Sequence, residues 1–171
     1  HSHVKSLAVA HMICIGFYFL MRPGKHTAPS GNYKHSILIN VEFMISHHWY
    51  NGHTIPPNRL HLVTFALLIS TDQKNGVCRK KIGHRRSGHS HFCAVKALSH
   101  HVRHLQEHNA PGDIPSCTYY VNDLARYMTS RDITTTLQGP VVSILGPDAI
   151  GFEPDDMLVR SLHASGTMTL L

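Results

Sequence analysis

Acidic residues are absent from Gln73 to Gln106, a stretch that carries eight lysines and arginines. A folded body with a stripe of one charge sign has the electrostatic footprint of a protein with a polyanionic partner. The acids come later: seven lie between Asp113 and Asp156, where Arg126 and Arg131 are the only bases. The formal net charge of +6 hides this segregation. Cysteine is scarce as well. Cys14, Cys78, Cys93 and Cys117 form no C-x-x-C pair, which excludes a disulfide framework for a chain of this length and points to a reducing, intracellular compartment. The apolar stretch Leu7 to Met21 is interrupted by His11 and falls short of the ~20 residues a bilayer span needs, so no membrane partner is expected. There is no basic leader before a cleavage site, so no signal peptide is expected. With His rather than Met at position 1, the chain reads as a piece of a longer frame. No internal repeat or linker divides it, and residues 1–171 are expected to form a single domain.

A hydrophobic content of 42% over 171 residues is enough for a real core. Val4 to Met21 reads as a helix, apolar nearly all round and therefore buried, stopped by Pro23-Gly24. Lys25 to Lys34 reads as a loop. Ile37, Ile39, Val41 and Phe43 alternate, predicting a strand over Ser36 to Met44. His47 to Pro57 reads as a polar connection. Leu60 to Ser70 is ambiguous by periodicity, with a strand favoured at its end. Asn75-Gly76 is a strong hairpin dipeptide, because both positions tolerate positive φ, and Val77 to Gly83 is the expected return strand. His84 to His91 reads as a basic loop. Val95, Leu98, Val102 and Leu105 fall at helical spacing within Phe92 to His108. Ser116 to Val121 is a short strand candidate. Thr129 or Ser130 can cap a helix with Asp132 in its first turn, which Gly139-Pro140 should end or kink. Val141 to Leu145 then reads as a short apolar segment, and Glu153 to Asp156 opens a last helix. The sum is an α+β domain, mostly helical with a small antiparallel sheet.

Four basic residues stand out as candidates for chemistry. Arg22 follows the apolar helix directly and precedes a rigid Pro-Gly, which suits a guanidinium held for bidentate phosphate binding. Lys74, at the hairpin tip, can deliver a proton or a point charge into a groove. Arg160 and His163 are three apart on the last helix and face one side. Each has an ordinary explanation alone: a helix-terminal arginine, an exposed turn lysine, a solvated helix face. The basic stripe supplies Arg79, Lys80, Lys81, Arg85, Arg86, Lys96 and Arg103 as candidate contacts for a polyanion. Histidine, at 17, is unusually frequent. His100, His104 and His108 have metal-capable helical spacing, and Cys78, His89, His91 and Cys93 offer two sulfur and two nitrogen donors. Neither set matches a standard zinc spacing, and Glu107 is the only acid close by to orient a ligand. No metal or other cofactor is expected. A His-rich, non-catalytic metal-binding module is the alternative reading.

The ordered set of motifs resembles the catalytic domain of tyrosine recombinases, the phage-integrase-like proteins, and most closely their eukaryotic mobile-element type. Gly16-Phe-Tyr-Phe-Leu-Met-Arg22-Pro-Gly-Lys25 looks like the family's first box, although this branch carries Glu-Tyr where this chain has Lys25-His26. Thr71-Asp-Gln-Lys74-Asn-Gly-Val77 looks like the β-hairpin that carries the catalytic lysine. Phe92-Cys-Ala-Val-Lys-Ala-Leu98 resembles the branch's Cys-Pro-Val-Arg-Ala-Leu helix start. Gly151-Phe-Glu-Pro-Asp-Asp156 and Arg160-Ser-Leu-His163-Ala-Ser-Gly166 look like the approach to the second box and the box itself. The likeness spans nearly the whole chain.

The resemblance implies a known chemistry. Two arginines clamp the scissile DNA phosphate and stabilise the transition-state charge. The hairpin lysine protonates the leaving oxygen, a second-box histidine or lysine assists, and a later tyrosine forms a phosphotyrosyl link. On this chain Arg22 takes a clamping role and Lys74 the general acid. The second box departs from the family's His-x-x-Arg: it reads Arg160-x-x-His163, so a histidine stands where the second clamping arginine belongs. No tyrosine follows His163. The expected partners are DNA and further recombinase protomers on that DNA, and the expected compartment is the nucleus if the source is a eukaryote. A fragment that binds DNA in recombination or integration, inactive alone, is the expectation.

Overall fold

The computed structural model describes residues 2–19, 21, 37–70, 80–89 and 92–145. Helix α1 (Ser2–Tyr18) is followed by strands β1 (Val41–Ile45), β2 (His48–Asn51), β3 (Phe65–Ser70) and β4 (Lys80–Arg85). Helix α2 (Ala94–Glu107), strands β5 (Thr118–Val121) and β6 (Leu124–Tyr127) and helix α3 (Ser130–Leu145) complete the described chain. The first four strands form an antiparallel sheet in the order β2-β1-β3-β4, and β5 and β6 form a separate hairpin. The described residues are thus of the α+β class.

The two faces of the larger sheet differ in kind. In register, Tyr50, Phe43, Ala66 and His84 share one face with Val41, Leu68 and Ile82. Phe43 and Ala66 are fully buried there. That face meets α2, whose Val95, Leu98, Val102 and Leu105 are all buried. The helical spacing read from sequence is therefore the spacing of the core. Helix α1 packs in turn on α2, α3 and β5. Its Ala8, Val9, Met12 and Ile15 are buried, but Val4 and Leu7 are 38% and 48% exposed. The all-round burial expected of this helix fails over its first two turns, because they border an open groove against α2.

Several elements depart from the sequence expectation for local reasons. The strand expected to start at Ser36 starts at Val41, because Leu38–Asn40 is a 3-10 turn. The Leu38 and Ile39 amides donate to the carbonyls of Ile114 and Gly112 at 3.1 and 2.9 Å, which draws them away from the sheet. Pro57–Leu62 is likewise a 3-10 turn, and the strand begins only at Phe65. β2 lies inside the supposed polar connection. Ser46 and His47, with φ of 47° and 69°, close the β1–β2 hairpin as a two-residue turn without glycine. Asn122 and Asp123 do the same for β5–β6, with φ of 50° and 59°. His84 and Arg85, read as loop, belong to β4.

The helix ends follow their side chains. Asn109 takes the left-handed conformation after α2, at φ 52°, and the Ala110 amide donates back to the Leu105 carbonyl at 3.0 Å. At the start of α3 the Thr129 hydroxyl accepts from the Asp132 amide, and the Asp132 carboxylate accepts from the Thr129 amide at 2.8 Å. This reciprocal cap is the one anticipated from sequence. The helix then runs through Gly139-Pro140 to Leu145 instead of ending there.

Candidate nucleic-acid interface

The described part of the basic stripe divides between β4 and α2. Lys81, Gly83 and Arg85 point to the outer face of the sheet, since they pair with Ile69, Leu67 and Phe65 and alternate with the inward Ile82 and His84. Lys81 reaches Glu42 of β1 at 3.7 Å. Lys80 is exposed at the start of β4 on the opposite side. Arg86 leaves the strand and donates to the His61 carbonyl at 2.7 Å, which holds its guanidinium at the margin of the sheet. Lys96 and Arg103 are two helical turns apart on α2 and flank His100 on the same face.

Arg86, Lys96 and Arg103 converge electrostatically on His100. Partial burial, followed by the charges of Arg103, Lys96 and Arg86, holds the His100 imidazole below its ordinary pKa. A strand-end arginine and a helical ridge thus form one positive surface around a neutral histidine. Among the described residues, Lys80, Arg85 and Arg103 make no ion pair with a carboxylate. This surface borders a groove of about 210 Å³ between α1 and α2, lined by His3, His11, His100, His101, Arg103 and His104 together with Val4, Leu7, Ala8 and Glu107. His11 meets His100 edge to face, with ring centroids 5.5 Å apart. Burial, with His100 and His104 adding repulsion, pushes the His11 pKa down to about 4.

The remaining histidines of α2 are structural. His101 is fully buried and its Nε2–H donates to the Ser116 carbonyl at 2.6 Å. His104 Nε2 accepts from the Tyr120 amide at 2.9 Å, so that lone pair is already used. His108 Nδ1–H donates to the His104 carbonyl at 2.9 Å, and its ring stacks on Tyr120 at 4.6 Å. Two members of the i, i+4, i+8 row read as metal-capable, His104 and His108, thus tie α2 to β5, while His100 faces α1. His89 Nδ1 accepts from the Phe92 amide at 3.0 Å. Among the described residues, no group of three or more His, Cys, Asp or Glu is placed to hold a metal ion. No described helix is long and apolar enough to cross a membrane.

Arg22, Lys74, Arg79, Arg160 and His163 lie outside the described residues, as do Cys78 and His91. The elements leading to the first two are in place. α1 ends against β4, where His84 Nε2–H donates to the Tyr18 carbonyl at 2.6 Å, and the His84 ring meets Phe19 edge to face at 5.0 Å. Met21, one residue before Arg22, is buried. β3 and β4 pair antiparallel from Phe65↔Arg85 to Ser70↔Lys80, and residues 71–79, which include Lys74, join them.

Sequence reasoning missed the outer sheet face altogether. One row across it reads Trp49, Met44, Phe65, Arg85. Trp49 and Phe65 meet edge to face at 6.0 Å, and Trp49 is 50% exposed. The signal was present in the alternation Trp49-Tyr50-Asn51, but the polar neighbours His47, His48 and Asn51 obscured it. Comparison with protein-family models, curated proteins and solved structures finds no match to this chain.

Proposed function

We propose that this chain is a DNA-binding part of a tyrosine-recombinase-type catalytic domain, gripping the phosphate backbone through β4 and α2. The placing of Lys96 and Arg103 two turns apart on one face of α2, with the charge of Arg86 also felt at the His100 between them, carries the reading. Three cations on two elements, gathered beside a neutral ring, suit a row of phosphates better than a single carboxylate. Lys80 adds one more exposed cation at the start of β4, on the side of the sheet that faces α2. The motif order supplies the finer proposal: Arg22 as phosphate clamp, Lys74 as general acid, Arg160 and His163 as a weakened second box. His163 offers an imidazole donor where a guanidinium would give a charged fork. Binding, rather than strand cleavage, is therefore the activity proposed for these residues. Further protomers on the same DNA and a nuclear setting in a eukaryotic source belong to the same proposal.

The test is the salt dependence of duplex binding, read by anisotropy of a labelled oligonucleotide. Four phosphate contacts, from Lys80, Arg86, Lys96 and Arg103, predict a log–log slope of about −3.6, or roughly a hundredfold loss between about 50 and 200 mM salt. The triple variant Arg86→Ala, Lys96→Ala, Arg103→Ala should make the slope shallower by about 3. Equal affinity at both salt concentrations would sink the proposal.

A further inference from the structure

The outer face of the four-stranded sheet is an aromatic strip edged by cations. Inward-facing residues of the same strands fill the core, whereas Met44, Phe65, Leu67 and Ile69 are only partly covered and Trp49 is half exposed. The strip is built by the sheet itself. Gly83 has no side chain, and a Cβ there would lie 2.5 Å from Phe65 Cζ and 2.7 Å from Leu67 Cδ2. The Phe65 ring therefore reaches over the β4 backbone at Gly83, in the same row as Arg85. On the other side the Trp49 indole meets the same ring at 90°. From Trp49 on β2 to Arg85 on β4 is three strand spacings, about 14 Å.

We propose that this face binds unpaired nucleotides of a single-stranded nucleic acid by stacking on Trp49 and Phe65, with Arg85 and Lys81 taking the adjacent phosphates. The proposal rests on the DNA-binding reading above and separates two sets of cations within it: Arg86, Lys96 and Arg103 for the duplex backbone, Lys81 and Arg85 for an unpaired strand. Charge complementarity selects the occupant. Arg85 stands beside Phe65 in the same row, Lys81 lies two rows further along the same face of β4, and Glu42, within 3.7 Å of Lys81, is the only described acid on the strip. Exposed π faces with flanking cations are the recognition chemistry of sequence-tolerant single-strand binding. Two rings on the strands that flank β1 offer room for two or three bases.

Trp49 is the only tryptophan in the chain, so its fluorescence reports on this face alone. A short oligothymidylate should quench it, and a duplex of equal length should not. Trp49→Ala should weaken oligothymidylate binding by anisotropy about five- to a hundredfold, while duplex affinity changes less than twofold. Trp49→Phe should restore most of the single-strand affinity. Because Trp49 is half exposed on an edge strand, a thermal transition near that of the parent establishes that both variants fold. Duplex binding without quenching, or with single-strand affinity indifferent to Trp49→Ala, overturns this inference and leaves the duplex reading intact. Quenching by the single strand without duplex binding upholds the inference and removes the duplex reading. Absence of both forms of binding, or a Trp49-dependent dimer of the chain with no quenching, overturns the inference.

Discussion

His101 should make this fold sensitive to mild acid. Its imidazole is fully buried on α2, donates Nε2–H to the Ser116 carbonyl at 2.6 Å, and has a pKa pushed down to about 4, first by burial and then by His11 and His104 nearby. The unfolded chain holds this group near 6.5 and binds the proton more readily. Stability from the neutral ring is therefore fully present above pH 6.5 and is lost as pH falls toward 4. By linkage, His101 alone removes about 2 kcal/mol between pH 7.5 and pH 5. For a domain of this size that corresponds to a fall of roughly 4–8 °C in melting temperature. The assay is urea unfolding at pH 7.5, 6 and 5, above the range where most carboxylates titrate. His101→Gln keeps an N–H for Ser116 and has no titration. It should lose about 2 kcal/mol less than the parent over the same pH interval, whatever its starting stability. The pH dependence that persists in it belongs to His11, His100 and His104, whose pKa values are also lowered. Parallel losses in parent and variant would refute the reasoning.

Three further substitutions probe other parts of the fold. Gly139→Ala should not bring the usual helix-propensity gain of about 1 kcal/mol, because the ring of the following Pro140 crowds a preceding Cβ in helical backbone; thermal melting reads the outcome. Asp123→Gly should relieve left-handed strain in the β5–β6 turn, where φ is 59°, and raise stability by about 0.5–1 kcal/mol in the same assay. Gln106→Ala should cost about 2–3 kcal/mol, because Gln106 Nε2 donates to the carbonyls of Gly52 and Ile55 at 2.9 and 2.8 Å; denaturant unfolding measures the loss.

The parts of the fold legible in the sequence are those where one local signal matches the tertiary environment. Val95, Leu98, Val102 and Leu105 announce α2 because a single helix face meets the sheet. Thr129 and Asp132 announce the start of α3 because the cap is made by side chains three residues apart. The two tight hairpins escaped notice because Ser46-His47 and Asn122-Asp123 take a conformation usually given to glycine. Pairing with the neighbouring strand imposes it, and no local preference reveals that. Leu38–Asn40 escaped for a similar reason: carbonyls from residues 112–114, far along the chain, capture its amides. The spacing of the α2 histidines, metal-capable on paper, cannot show that His104 and His108 already spend ring nitrogens on backbone partners. Of the candidate site, the positive character of β4 and α2 was visible as a charge run. That Arg86 joins Lys96 and Arg103 around one histidine needed the packing of β4 against α2.

Gln106 has a consequence for how the molecule opens. Its amide bridges the last turn of α2 to the Gly52–Ile55 loop, and the loop continues from β2. Fraying of that turn strips the loop of two bonds at once, so the first hairpin and the C-terminal end of α2, some fifty residues apart in sequence, form one opening unit. Amide exchange should show the protected hairpin and the end of α2 released together, at a common free energy.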